Sequence, residues 1–159
     1  MKKLSKIVAL LLAGALTMLM FTACGGGGSG EDAQAEASVM TVINGKRTSA
    51  AKLDNDAERK AVASQNIDYV AKHGFGPFSS DVRFNLDTDH IKDGKFGFTF
   101  VAKYDYKDTK LDDLIKKITD GNGTNVKSNY VDKWTNVGVV VKTVNGQTYI
   151  AVSVAIDAS

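Results

Sequence analysis

The run Val137 to Val144, the dipeptide Asn145-Gly146 and the run Gln147 to Ile156 constrain this chain more than any other stretch. A two-residue hairpin turn needs positive φ at both central positions, which Asn-Gly supplies with a twist that matches the flanking strands. The two runs must therefore pair antiparallel. They are apolar on both faces in places, at Val139-Val140-Val141 and Ile150-Ala151-Val152, so the hairpin is expected to lie centrally in a sheet covered on both sides.

Upstream, a helix is expected from about Asn55 to Lys72, capped by Asp54 or Asn55, with Glu58 in its first turn and His73-Gly74 at its close. Its small face is Ala57, Ala61, Ser64 and Ala71, with Val62, Ile67 and Val70 adding bulk. Val82 to Ile91 and Lys95 to Tyr106 flank Asp93-Gly94, a second hairpin signal. In the later of these runs Phe96, Phe98, Phe100, Ala102, Tyr104 and Tyr106 alternate with Gly97, Thr99, Val101, Lys103 and Asp105, so one face is strongly aromatic. Residues 108 to 118 place apolar side chains at i, i+3, i+4 and i+7, with acids early and lysines late, as a short amphipathic helix does. Gly121 to Asn125 and the Pro77 region read as loops. These elements predict an α+β fold, a three-layer α-β-α-like sandwich with a mainly antiparallel sheet ending in a C-terminal β-hairpin.

The N-terminus follows a different logic. Lys2, Lys3 and Lys6 precede an apolar run from Ile7 to about Phe21, and Phe21-Thr22-Ala23-Cys24 follows the pattern of a lipobox. The chain thus resembles a bacterial lipoprotein precursor. That resemblance implies cleavage before Cys24, diacylation of its thiol, and attachment to membrane lipid on the extracytoplasmic face of the cell membrane. Phe21 departs from the usual Leu. The run of 15 residues from Ile7 to Phe21 falls short of the roughly 20 needed to span a bilayer. Residues 1–23 are read as signal peptide, 24–38 as lipidated cysteine and flexible Gly/Ser/acidic tether, and 39–159 as one extracytoplasmic domain. A coil over 25–38 would have a root-mean-square span of about 20 Å. The signal carries three of the 20 basic residues and none of the 18 acidic ones, so its loss leaves a formal charge of minus one and nothing that suggests nucleic acid. Cys24 is the single cysteine, so an intrachain disulfide is excluded.

Groups suited to catalysis are scarce. The two histidines are His73 and His90, and the sole glutamate beyond the tether is Glu58. No serine sits in a Gly-x-Ser-x-Gly elbow. The acidic cluster Asp87 to Gly94 fails the EF-hand spacing: Ile91 takes the third ligand position, Lys92 the glycine position and Phe98 the place of the closing glutamate. A zinc site using His90 with Asp87 or Asp89 lacks supporting His or Cys ligands. His73 suits the C-terminal end of the helix dipole. Tyr130 with Trp134 could form a sugar-stacking platform; the competing reading packs Trp134 between the helix layer and the final hairpin. The candidate ligand-binding residues are accordingly His73, His90, Tyr130 and Trp134, with no catalytic set, metal or cofactor assigned.

Two regions resemble the CAP superfamily of cysteine-rich secretory, antigen-5 and pathogenesis-related proteins. One is Ile43-Asn44 with Arg47 and Leu53, followed by the Ala-rich helix to Gly74. The other is Trp134 to Val141 followed by Asn145 to Val152. The resemblance implies an α-β-α sandwich. That family's paired His and Glu residues have no counterparts, since no glutamate follows Glu58 and no histidine lies near the final hairpin. The expectation is a membrane-anchored domain that binds a protein, cell-wall fragment or small ligand without catalysis. The alternatives are a degenerate CAP-like hydrolase or metal-dependent enzyme using His73 or His90, and a structural subunit of an envelope complex.

Overall fold

Asn145 and Gly146 adopt φ of 52° and 79°, as the two-residue turn demands. The computed structural model describes residues 30–48, 50–76, 81–87, 95–105 and 130–157, without the side chains of Lys95, Tyr130 and Asp157. Two helices, α1 (Gly30–Lys46) and α2 (Ala57–His73), precede strands β1 (Val82–Asp87), β2 (Lys95–Lys103), β3 (Trp134–Val144) and β4 (Gln147–Asp157), with a 3-10 turn at Tyr130–Lys133 leading into β3. The strands form one sheet in the order β1-β2-β4-β3, every neighbouring pair antiparallel.

Side chains alternate across this sheet and so define two cores. On one face Ala35, Val39, Met40 and Ile43 of α1 join Phe98, Ala102, Val137, Val139, Val141, Ile150, Val152 and Val154. On the other, Ala63, Ile67 and Val70 of α2 meet Val101, Val140, Tyr149 and Ala151. The helices thus lie on opposite faces, and the α+β sandwich has the expected three layers. The hairpin is only half central. β4 is interior, but β3 forms an edge of the sheet.

That edge is blocked by the chain itself. The Asn55 side chain accepts from Val139 N–H (2.8 Å) and donates to the Val139 carbonyl (3.1 Å). Asp56 N–H donates to the Val137 carbonyl (2.8 Å), and a Glu36 carboxylate oxygen accepts from Val141 N–H (3.0 Å). The other Glu36 oxygen pairs with Lys60, tying α1 to α2 around the rim. The middle of the outward row of β3, from Val137 to Val141, is therefore largely occupied, which blunts a template for unwanted strand pairing.

Two local expectations need correction. Residues 30–38 are not tether; they form the first half of α1. Ala, Glu and Gln favour helix, and Ala35 starts a buried stripe that continues through Val39, Met40 and Ile43, so the helix is held by tertiary packing. Helix α2 begins two residues later than predicted because Asn55 is committed to the β3 edge. Asp56 caps it instead, its carboxylate accepting from Arg59 N–H at 2.8 Å. The buried stripe of α2 is Arg59, Val62, Ala63, Ile67 and Val70, whereas Ala57 and Ala61 are exposed.

Arg59 owes its burial to a gap in β2. A Cβ added at Gly97 would stand 3.0 Å from the guanidinium and 2.8 Å from the Val154 carbonyl, so only glycine lets Arg59 cross the sheet to Asp87. The resulting ion pair is 2.9 Å long with both side chains about 5% exposed or less. Beside it, Thr99 and Ser153 share a buried hydroxyl hydrogen bond of 3.0 Å. Asn44 and Arg47 also have structural roles. Asn44 bonds both the N–H and the carbonyl of Leu53, and the Arg47 guanidinium donates to the Ala51, Val131 and Trp134 carbonyls.

Candidate functional site

The opposite edge of the sheet, strand β1, has no strand partner beyond it among the described residues. Lys103 N–H donates to the Asp81 carbonyl, so hydrogen-bonded pairs recur at Arg83 with Val101, Asn85 with Thr99 and Asp87 with Gly97. The intervening residues turn their amides away from β2. Phe84 and Leu86 therefore present N–H and C=O groups outward, with no partner for them among the described residues. Their side chains stand on the α1 face of the sheet, 52% and 60% exposed, with Phe96 beside them. Phe84 stacks on the buried Phe98 ring (5.4 Å between centroids), which fixes its orientation.

Across the strand, Arg83 projects to the α2 face. Its guanidinium carbon lies 4.3 Å from the centre of the exposed Tyr69 ring, a cation–π contact. The Tyr69 ring in turn packs against His73, one helical turn further along α2, with centroids 4.6 Å apart and the rings tilted by 34°. The Arg83 Nε–H is buried without an acceptor among the described residues. Asn85 donates to Asn66 at 3.1 Å, tying β1 to α2. Strand β1 is thus rimmed by an apolar row on one face and a cationic aromatic stack on the other.

Of the residues singled out from the sequence, His73 belongs to this rim, exposed and stacked as just described. Trp134 does not fit a ligand platform. It is 2% exposed, packed edge-to-face on Phe98 at 6.1 Å, and so belongs to the core between α1 and the final hairpin. Its indole N–H has no acceptor among the described residues. Cys24, His90 and the Tyr130 side chain lie outside the described residues, as do the amphipathic segment 108 to 118 and the Asp93-Gly94 turn. Asp87, weighed as a zinc ligand, is engaged by Arg59 instead. Among the described residues no group of three His, Cys, Asp or Glu side chains is placed to hold a metal ion, and no helix is long and apolar enough to cross a membrane.

Sequence reasoning missed Phe84, Leu86, Arg83 and Tyr69. The alternation Val82, Phe84, Leu86 was a signal for a one-sided strand, but which strand would end at the edge depends on sheet order. No known family, curated protein or solved structure matches the chain.

Proposed function

We propose that this chain is a membrane-tethered, extracytoplasmic binding domain that captures an extended polypeptide segment by strand addition along β1. The observation that carries this reading is the β1 edge, unpaired among the described residues, where the outward amides of Phe84 and Leu86 coincide with their exposed apolar side chains. Strand addition takes affinity from main-chain hydrogen bonds and specificity from alternate side chains. An incoming strand would set apolar residues against Phe84 and Leu86, and aromatic or acidic residues against Arg83 and Tyr69. The lipobox ending in Cys24 supports the tether, and the run of helix formers from Glu31 places the folded domain within a few residues of it.

The two edges contrast in a way that favours this reading. Asn55, Asp56 and Glu36 occupy the outward row of β3, while the described residues offer nothing equivalent on β1. The test is cross-linking in intact envelope, comparing wild type with Phe84→Lys/Leu86→Lys. Lysine on an edge strand discourages pairing while leaving the β1–β2 hydrogen bonds in place. Adducts are expected to fall at least tenfold in the variant, with an unchanged circular dichroism spectrum. Equal adduct formation by both proteins refutes the proposal.

A further inference from the structure

An edge strand that must stay single is ordinarily blunted by lysine, proline or a bulge. Strand β1, VRFNLD, contains neither lysine nor proline, and its pairing with β2 is regular over all six residues. Its two faces differ in chemistry. Phe84 and Leu86 stand on the α1 face with their N–H and C=O groups outward, while Arg83, Asn85 and Asp87 stand on the α2 face.

The segment Arg83-Phe84-Asn85-Leu86-Asp87 is complementary to its own reverse. Against a copy turned about Asn85, Phe84 faces Leu86, Asn85 faces Asn85 and Arg83 faces Asp87. The outward groups fall in step, because Phe84 with Leu86 becomes a hydrogen-bonded pair on each side of the axis. Side chains directly opposite in an antiparallel pair share a face, so the four apolar side chains meet on the α1 face. On the α2 face the Arg83 guanidinium, whose Nε–H has no acceptor among the described residues, comes beside the Asp87 carboxylate of the copy. That carboxylate holds Arg59 at 2.9 Å, and a carboxylate accepts from more than one guanidinium.

The other registers that keep the outward groups paired are poorer. An axis at Phe84 sets Asp81 opposite Asp87, and an axis at Arg83 or at Asp87 sets that residue opposite itself. Like charges directly opposite one another oppose pairing. An axis at Leu86 leaves Phe84 without a mate in β1.

We propose that the segment received by β1 is β1 of a second copy of this chain, paired antiparallel about a two-fold axis at Asn85. The pairing rests on strand addition as the function of this edge and names the partner. The axis stands perpendicular to the sheet, so two four-stranded sheets join into one with both α1 helices on the same face. Two chains tethered through their N-termini can then share one membrane.

The test uses the full chain carrying Cys24→Ser, so that an introduced cysteine is the only thiol. Cα atoms of a non-hydrogen-bonded pair stand about 4.5 Å apart, within the range for a disulfide, so Asn85→Cys is expected to give a covalent dimer on mild oxidation. Arg83→Cys is not, since its mate lies about 13 Å away along the strand. Should loss of the Asn85 bond to Asn66 unfold the first variant, an equimolar mixture of Phe84→Cys and Leu86→Cys reads the same register. Mixed dimers are expected to outnumber those of either variant alone. Sedimentation equilibrium in mild detergent is expected to show monomer and dimer in exchange, with the dissociation constant raised roughly tenfold or more by Arg83→Glu. A chain that stays monomeric up to about 1 mM, or that cross-links through Arg83→Cys and not Asn85→Cys, overturns the second copy as partner. If a monomeric chain still gives envelope adducts that depend on Phe84 and Leu86, strand addition stands with a different polypeptide. If it gives none, both readings fall.

Discussion

At Gly138 the backbone of α2 lies close against the sheet, and adding one methyl group there tests how the layers are held. A Cβ at Gly138 would stand 2.2 Å from the Lys60 backbone nitrogen, 2.3 Å from the Arg59 carbonyl carbon and 2.6 Å from the Arg59 Cβ. Ordinary contact begins near 3.4 Å, so α2 and β3 must separate by about 1.2 Å. The atoms in the way are largely backbone, which leaves no side-chain rotation to relieve the clash. Separation on that scale would stretch the Asp56 bond to Val137 and the two Asn55 bonds to Val139, each between 2.8 and 3.1 Å, beyond useful length. Overpacking costs about 1–3 kcal/mol and each of the three lost hydrogen bonds about 1 kcal/mol, so Gly138→Ala is expected to lose roughly 4–6 kcal/mol. Against a total of about 5–15 kcal/mol, this is a large share.

Urea unfolding followed by circular dichroism measures the loss. With a slope of about 2 kcal/mol per molar urea, the midpoint should fall by roughly 2–3 M. Gly45→Ala is the matched control: Gly45 lies within α1 with nothing within 4 Å of a new Cβ, so alanine there should stabilise by up to about 1 kcal/mol. A loss under 1 kcal/mol at Gly138 would show that the close approach does not fix the spacing of α2 on the sheet.

The buried Arg59–Asp87 pair gives a second prediction. Arg59→Met or Asp87→Leu alone should cost about 3–5 kcal/mol by stranding a buried charge, while the double replacement costs far less than their sum; additive losses in a double-mutant cycle would contradict direct coupling. A third concerns alkaline pH. Burial, and then the charge of Asp105, raise the Tyr104 phenol above its ordinary 10.0. The folded state holds that proton more tightly than the unfolded chain, so this stabilisation is complete below about pH 10 and is lost as pH rises beyond it. Urea midpoints measured from pH 8 to 12 should fall more steeply for wild type than for Tyr104→Phe, and parallel profiles would count against it.

Both hairpin strands, the aromatic face of β2 and the helix ending at His73-Gly74 were legible because each is encoded by neighbours: a turn dipeptide, a period of two, a period of 3.6. Features that depend on residues far apart were not. Asn55 has the chemistry of a helix cap, and only the arrival of Val139, 84 positions later, commits it to the sheet edge. Residues 30–38 have the polarity of a tether, and only the apolar surface of β3 turns Ala35 and its neighbours into a buried stripe. Trp134 offered an aromatic platform until Phe98 and α1 enclosed it.

The sequence alone therefore determined the kinds of elements, the C-terminal hairpin and an α+β sandwich of three layers. The tertiary structure decided which strands became edges, which edge was blocked and which side chains were left outside. Local patterning records how each residue relates to its neighbours along the chain, whereas strand order is set by contacts between segments that the pattern does not name. The rim of β1, unpaired among the described residues and carrying Phe84, Leu86 and Arg83 beside Tyr69, is a product of that order.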